Sequence, residues 1–349
     1  MSDDSRRRPQ RRHADRRLID SFGRRHTDLR VSVTDRCNIR CSYCMPAETL
    51  FLPREDLLSY EEIVRVVRAA ASLGIRTVRL TGGEPLVRRD LPALVSGLVA
   101  IEGIDEVALT TNGILLEEHA AALARAGLNR LNVSLDALRE DLFEAITRRP
   151  GLDRVLSGIA AAKRAGFENI RVNAVSIRGL TESQIVPLAR FARREGLHLR
   201  FIEFMPLDAE QGWSAGQVLS GAEVREILKR EVGPLLPLER TDPGQPAVDY
   251  RYVDAGDEQG PGSLVGFIDP VSQAFCDRCD RLRLTAEGMF RNCLFSTEEW
   301  DVRELLRDGG GDEQIALMLC RCLSAKRASH GIGEPGFVRP ERAMYQIGG

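Results

Sequence analysis

The chain has 349 residues, 43% of them hydrophobic, which is enough for a substantial core in one large domain with an appendage or in two ordinary domains. Its 49 basic and 51 acidic residues nearly cancel, so the overall charge gives no support for a nucleic-acid partner, and any anion site must be built locally. No stretch approaches the roughly 20 continuous apolar residues of a membrane span, and the arginine-rich start lacks the apolar segment of a secretory signal, so a cytoplasmic protein is expected.

Residues 1–17 carry seven arginines (Arg6, Arg7, Arg8, Arg11, Arg12, Arg16 and Arg17) and almost nothing apolar, and are expected to form a disordered leader. From there, short β-branched runs alternate with helical periodicity. Residues 29–33 read as a strand, 61–73 as an amphipathic helix and 75–80 as a second strand. The alternation recurs through 106–110, 130–135, 170–177 and 199–204, with helices between. Six such units predict a parallel sheet, because parallel neighbours need crossover connections. A partial (β/α)6 barrel of the TIM type is the first expectation and a doubly wound sheet the second; in either, the active site lies at the carboxyl ends of the strands. Glycine and proline accumulate between 233 and 262, and short strands and two helical stretches follow. This places a boundary near 206, between a core of 18–205 and a C-terminal α+β extension of 206–349.

Eight cysteines, clustered and without a secretory signal, point to metal ligation or redox chemistry rather than a disulfide framework. Cys37, Cys41 and Cys44 form C-x3-C-x2-C directly after the first predicted strand. Three thiolates are one fewer than a closed zinc site or a closed four-iron cluster requires, so a four-iron cluster here would keep one iron open. A zinc knuckle with a distant fourth ligand is the competing reading. The spacing, with Tyr43 before the last cysteine, resembles the signature of the radical S-adenosylmethionine superfamily, as does Thr81-Gly-Gly-Glu-Pro85 after the second strand. That resemblance implies a [4Fe-4S] cluster whose open iron is chelated by S-adenosylmethionine, with cofactor contacts at Tyr43, Gly83, Ser134 and Met205.

Cys276, Cys279 and Cys293 form a second triad, C-x2-C-x13-C, again without an obvious fourth ligand. Cys320 and Cys322 follow in sequence, but residues two apart on a helix do not share a face, and buried structural thiols are the simpler reading. Arg281 and Arg283 alternate on the predicted strand after the triad and so point to one side, where paired guanidinium groups would suit phosphate oxygens; surface ion pairs are the alternative. Residues 28–46, the segment 276–294 and the terminal Met344-Tyr-Gln-Ile-Gly-Gly349 together make the chain from about Leu18 onward similar to the GTP 3',8-cyclase family of molybdenum cofactor biosynthesis. The resemblance implies two [4Fe-4S] clusters and GTP as substrate. It places GTP contacts at Arg30, Arg79, Thr110, Arg171, Arg281 and Arg283, and a catalytic role for Gly348 and Gly349. It further implies an electron donor and a downstream pterin-forming enzyme as partners, with a homodimer left open. Two positions depart from the family pattern: Asp280 stands where Asn is usual, and Arg171 where Lys is common. Competing functions are a peptide-modifying maturase of the same superfamily with an auxiliary cluster, and a zinc-dependent nucleic-acid-binding module.

Overall fold

The computed structural model describes residues 17–240, 242, 244–255 and 260–348, so nearly all of the arginine-rich leader and Gly349 lie outside the described residues. Six strands follow one another in the order of the sequence: β1 (Asp28–Ser32), β2 (Thr77–Thr81), β3 (Glu106–Thr111), β4 (Arg130–Ser134), β5 (Arg171–Ser176) and β6 (His198–Glu203). All pair in parallel. The helices between them are α1 (Tyr60–Ala71), α2 (Leu91–Val99), α3 (Leu116–Arg125), the pair α4 (Glu140–Thr147) and α5 (Leu152–Arg164), and α6 (Ile185–Glu195). The strand order never reverses, which is the arrangement of a partial barrel and not of a doubly wound sheet.

The expected helix over 61–73 starts at Tyr60, because Ser59 and Glu62 form a reciprocal capping box that fixes the first turn.

After β6 come α7 (Gly221–Glu231), β7 (Leu235–Pro237), β8 (Val248–Tyr252), β9 (Leu264–Ile268), β10 (Arg281–Leu284), β11 (Met289–Arg291), β12 (Trp300–Asp301), α8 (Val302–Arg307), α9 (Asp312–Ser324) and α10 (Met344–Ile347). These later strands join the same sheet. β10 pairs in parallel with β1, and β9 in parallel with β6, so the order is β12-β11-β10-β1-β2-β3-β4-β5-β6-β9-β8-β7. The C-terminal strands therefore flank the six-stranded core on both sides.

Strands of a parallel sheet covered by helices on both faces usually read as continuous apolar runs. These do not. Leu29, Val31, Val78, Leu80, Leu131 and Val133 are buried in the hydrophobic core, while Arg30, Arg79, Asn132 and Ser134, which alternate with them, line a central cavity. One face of the sheet thus packs on helices, and the other curls round a polar interior. Among the described residues no helix is long and apolar enough to cross a membrane.

Candidate active site

The loop after β1 carries Cys37, Cys41 and Cys44. It is held by backbone bonds to its neighbours: Gly83 N–H to the Thr34 carbonyl (2.8 Å), Glu84 N–H to that of Arg36 (2.8 Å) and Arg40 N–H to that of Thr147 (2.8 Å). The space left by the absent side chains of Gly82 and Gly83 is filled by this loop. A Cβ on Gly83 would lie 2.4 Å from the Arg36 carbonyl oxygen, and one on Gly82 2.5 Å from that of Thr34. The glycines therefore dock the cysteine loop onto the end of β2. Glu84 accepts hydrogen bonds from Leu86 N (2.9 Å), Thr111 Oγ1 (2.8 Å) and Asn112 N (2.6 Å), joining this turn to the end of β3, and burial pushes its carboxyl up to about 7. Burial also pushes the Cys37 thiol up to about 11, the Cys44 thiol up to about 12 and the Cys41 thiol upward. Three buried thiols whose charged form is disfavoured suit a metal cluster, which supplies the missing positive charge.

Tyr43 donates to Asp136 Oδ2 at 2.6 Å, and Asp136, raised to about 6 by burial, also accepts Val175 N–H at 2.8 Å. Tyr43, Gly83, Ser134 and Met205 all border the central cavity at the carboxyl ends of their strands.

That cavity, of about 390 Å³, is lined by all three cysteines of the first triad at one end. Toward the other it is lined by Arg30, Arg79, Thr110, Arg171, Arg281 and Arg283. Two more arginines on the same wall, Arg130 and Arg200, were not singled out by the sequence reading. For Arg130 the signal is the alternation of Arg130-Leu-Asn-Val-Ser134, which repeats the polar–apolar pattern of 28–32 and 77–81. Register brings Arg30 beside both Arg79 and Arg283. Burial first, and neighbouring guanidinium groups next, bring Arg171, Arg130 and Arg283 down to about 10. Burial does the same to Arg200 against the pull of Asp249, and lowers Arg30 as well. Some of this charge is paired, Arg130 with Glu106, Arg79 with Asp28 at 3.9 Å and Arg200 with Asp249 at 3.5 Å. Yet the Nε groups of Arg30, Arg79, Arg130, Arg200 and Arg281 are buried without a hydrogen-bond partner among the described residues. Clustered, desolvated and partly unsatisfied donors of this kind suit a polyanion.

The second triad is built differently. Cys276 and Cys279 lie in the turn that leads into β10, and Cys293 follows β11. Burial would raise the Cys279 thiol, but the charges of Arg281 and Lys326 outweigh it and bring it down to about 6. Lys326, also unnoticed in the sequence, donates to Cys279 Sγ at 3.5 Å. Asp280 lines the cavity, accepts from Thr27 Oγ1 at 3.2 Å, and is raised to about 7 by burial and by Asp28, so the departure from Asn adds less negative charge than its formula suggests. Cys322 is buried on α9 and Cys320 packs against the same core. Among the described residues no three His, Cys, Asp or Glu side chains close round a single metal ion, which would draw thiolates to about 3.8 Å of one another.

The C-terminal segment reaches from the first triad to the arginine wall. The backbone of Tyr345 hydrogen-bonds the Cys44 thiol, Tyr345 Oη lies 3.0 Å from Thr49 Oγ1, and Arg283 Nη1 donates to the Gly348 carbonyl at 2.7 Å.

Two family models match the chain, that of the radical SAM superfamily over residues 31–192 and that of Molybdenum Cofactor Synthesis C over 197–332. A sheet that curls round a cavity with a cysteine triad at its carboxyl end, matched by the first of these, is the fold of a radical S-adenosylmethionine protein, a class that implies a [4Fe-4S] cluster and S-adenosylmethionine. GTP 3',8-cyclase of Rhodopirellula baltica is 49% identical over 334 residues, spanning 95% of this chain and 92% of that protein. The enzyme of the same name from Pelotomaculum thermopropionicum is 45% identical over 95% of this chain and all of its own. The chain belongs to the GTP 3',8-cyclase family. Among solved structures, Streptococcus suis SuiB bound to its precursor peptide SuiA is similar in fold, with a TM-score of 0.58 at 15% identity, over 86% of this chain and 67% of that one.

Proposed function

We propose that this protein converts GTP into (8S)-3',8-cyclo-7,8-dihydroguanosine 5'-triphosphate, with Cys37, Cys41 and Cys44 holding one [4Fe-4S] cluster and Cys276, Cys279 and Cys293 a second. The observation that carries this reading is a single cavity with a cysteine triad at one end and at least seven arginines beyond it. When bound, the first cluster and S-adenosylmethionine supply the one-electron chemistry that removes the C3' hydrogen and leads to the C3'–C8 bond.

The chain's own part is to bind, orient and exclude water. Arg30, Arg79, Arg171, Arg281 and Arg283 take the triphosphate, joined by Arg130 and Arg200, and Thr110 offers a hydroxyl on the same wall. Tyr43, Gly83, Ser134 and Met205 border the cofactor. The second triad, short of a fourth ligand, leaves a position for the guanine base. Held at both ends, the ribose would have little freedom to move, so the chain itself would decide which ribose hydrogen faces the bound cofactor. The electron donor and the pterin-forming enzyme that consumes the product belong to the same reading.

Anaerobic incubation of the reconstituted protein with GTP, S-adenosylmethionine and a reductant should yield the cyclised triphosphate and 5'-deoxyadenosine. Release of 5'-deoxyadenosine that is indifferent to GTP would argue against the nucleotide as substrate.

Arg171→Ala is expected to weaken GTP binding by about 10- to 100-fold, the worth of one charge-assisted hydrogen bond in a buried site. Arg171→Lys should recover most of it, because the charge survives, and equilibrium binding to the anaerobic protein reads both. Cys279→Ser should lower the iron content from about eight to about four per chain and stop cyclisation while leaving some cofactor cleavage. Unchanged iron would sink the second cluster.

A further inference from the structure

Lys326 is a buried ammonium, and all three of its N–H groups are used at the second triad: on Cys279 Sγ (3.5 Å), on the Arg281 carbonyl (2.9 Å) and on the Asn292 carbonyl (2.6 Å). Asn292 immediately precedes Cys293, and Arg281 lies two residues after Cys279, so one side chain ties two of the three cysteines together. The next two residues reach the third. Arg24 Nη2 donates to the Arg327 carbonyl (2.7 Å), and its Nη1 donates both to the Ala328 carbonyl (2.9 Å) and to the Cys276 carbonyl (2.5 Å). Arg24 is itself buried and held by Asp20 at 2.6 Å.

No carboxylate lies within 4 Å of the Lys326 ammonium among the described residues; its one contact besides the two carbonyls is the sulfur of Cys279. Burying a cation away from a carboxylate is costly, and is offset only where the charge meets an electron-rich group. A thiolate bound to an iron cluster is such a group, and it gains electron density when the cluster is reduced. Hydrogen bonds to cluster sulfurs and nearby positive charge therefore favour the reduced state.

We propose that Lys326 is a positioning residue of the second cluster, its ammonium fixing the loops of Cys279 and Cys293 and its bond to Cys279 Sγ raising the cluster's reduction potential. The inference rests on the two-cluster reading above. It assigns a task to the segment between α9 and the C-terminal tail: residues 326–328, backed by Arg24, form the wall against which the second triad closes.

The test is a reductive titration followed by electron paramagnetic resonance, on the anaerobically reconstituted parent and on Lys326→Met and Lys326→Gln, with the first cluster as internal reference. The midpoint of the second cluster is expected to move to lower potential in both variants while that of the first stays put. Should the methionine variant lose only the second cluster, with its first cluster and thermal unfolding unchanged, the positioning role stands and the potential is read on the glutamine variant. A second-cluster midpoint unmoved in both variants overturns the inference. So does loss of iron from both triads together with a lowered unfolding temperature, since Lys326 is then a general folding residue. A parent protein holding only about four irons would instead overturn the two-cluster reading, and this inference with it.

Discussion

Cys41→Ser is expected to lower 5'-deoxyadenosine formation well beyond the roughly 100-fold that losing a supporting contact to a metal ligand costs. Cys41 is closely confined. It packs against the main core beside Cys37, its thiol is raised by burial and then by Asp136, and its carbonyl accepts the N–H groups of Cys44 and Met45 at 2.9 Å each. A serine there keeps these backbone bonds, so the loop should fold as before. What changes is the donor atom, a hard hydroxyl in place of a soft thiolate. The second triad serves as the internal control: iron should fall from about eight to about four per chain, with the remaining signal that of the second cluster. Cofactor cleavage at the parent rate by the reconstituted variant would show that this triad is not where cleavage occurs.

Gly348→Ala is the other large effect, expected to reduce cyclised product by about 100-fold, which is what a misplacement of about 1 Å costs a reaction that depends on position. Gly348 has φ +78°, in the left-handed region, and a Cβ there would stand 2.5 Å from Thr81 Oγ1 and 2.9 Å from Ser32 Cβ. Ser32 and Thr81 end neighbouring barrel strands and cannot retreat, so the tail must back out. It would take with it the carbonyl that receives Arg283, one of the arginines assigned to the triphosphate. Both clusters and GTP-independent cofactor cleavage should persist, so the ratio of product to 5'-deoxyadenosine is the telling measurement. Deleting Gly348 and Gly349 should act alike. Parent-level product from either variant would make the tail a frayed end.

Much of the site was legible because its chemistry is concentrated in short segments. Cys37, Cys41 and Cys44 announce themselves by spacing, and Arg281 and Arg283 by a strand's two-residue period. Other parts were illegible for definite reasons. Arg130 and Arg200 look like ordinary polar residues near strand starts until the sheet curls and turns their face inward. Lys326 follows a helix more than thirty residues from Cys293, and nothing local marks it as facing a thiol. The motif glycines 82 and 83 border the cavity where the cofactor contact of Gly83 is expected, but that their missing side chains also make room for the cysteine loop is a long-range fact the motif does not show. The change of pattern after 205 was visible in composition, but strand pairing between β1 and β10 is a long-range fact that composition does not encode.

That pairing also fixes an order of events during synthesis. β1 carries the first cysteine loop at its end, yet its outer edge is completed only by residues 281–284, about 250 residues further along the chain. The edge of β6 waits likewise for β9. A ribosome that has translated the whole first cysteine motif and all six core strands still holds a sheet with two open edges, the state most prone to pair with a neighbour. Folding of this chain is thus gated by the arrival of β9 and β10, and conditions that slow translation there, or that delay closure of the second triad, should lengthen the interval in which nascent chains need a chaperone.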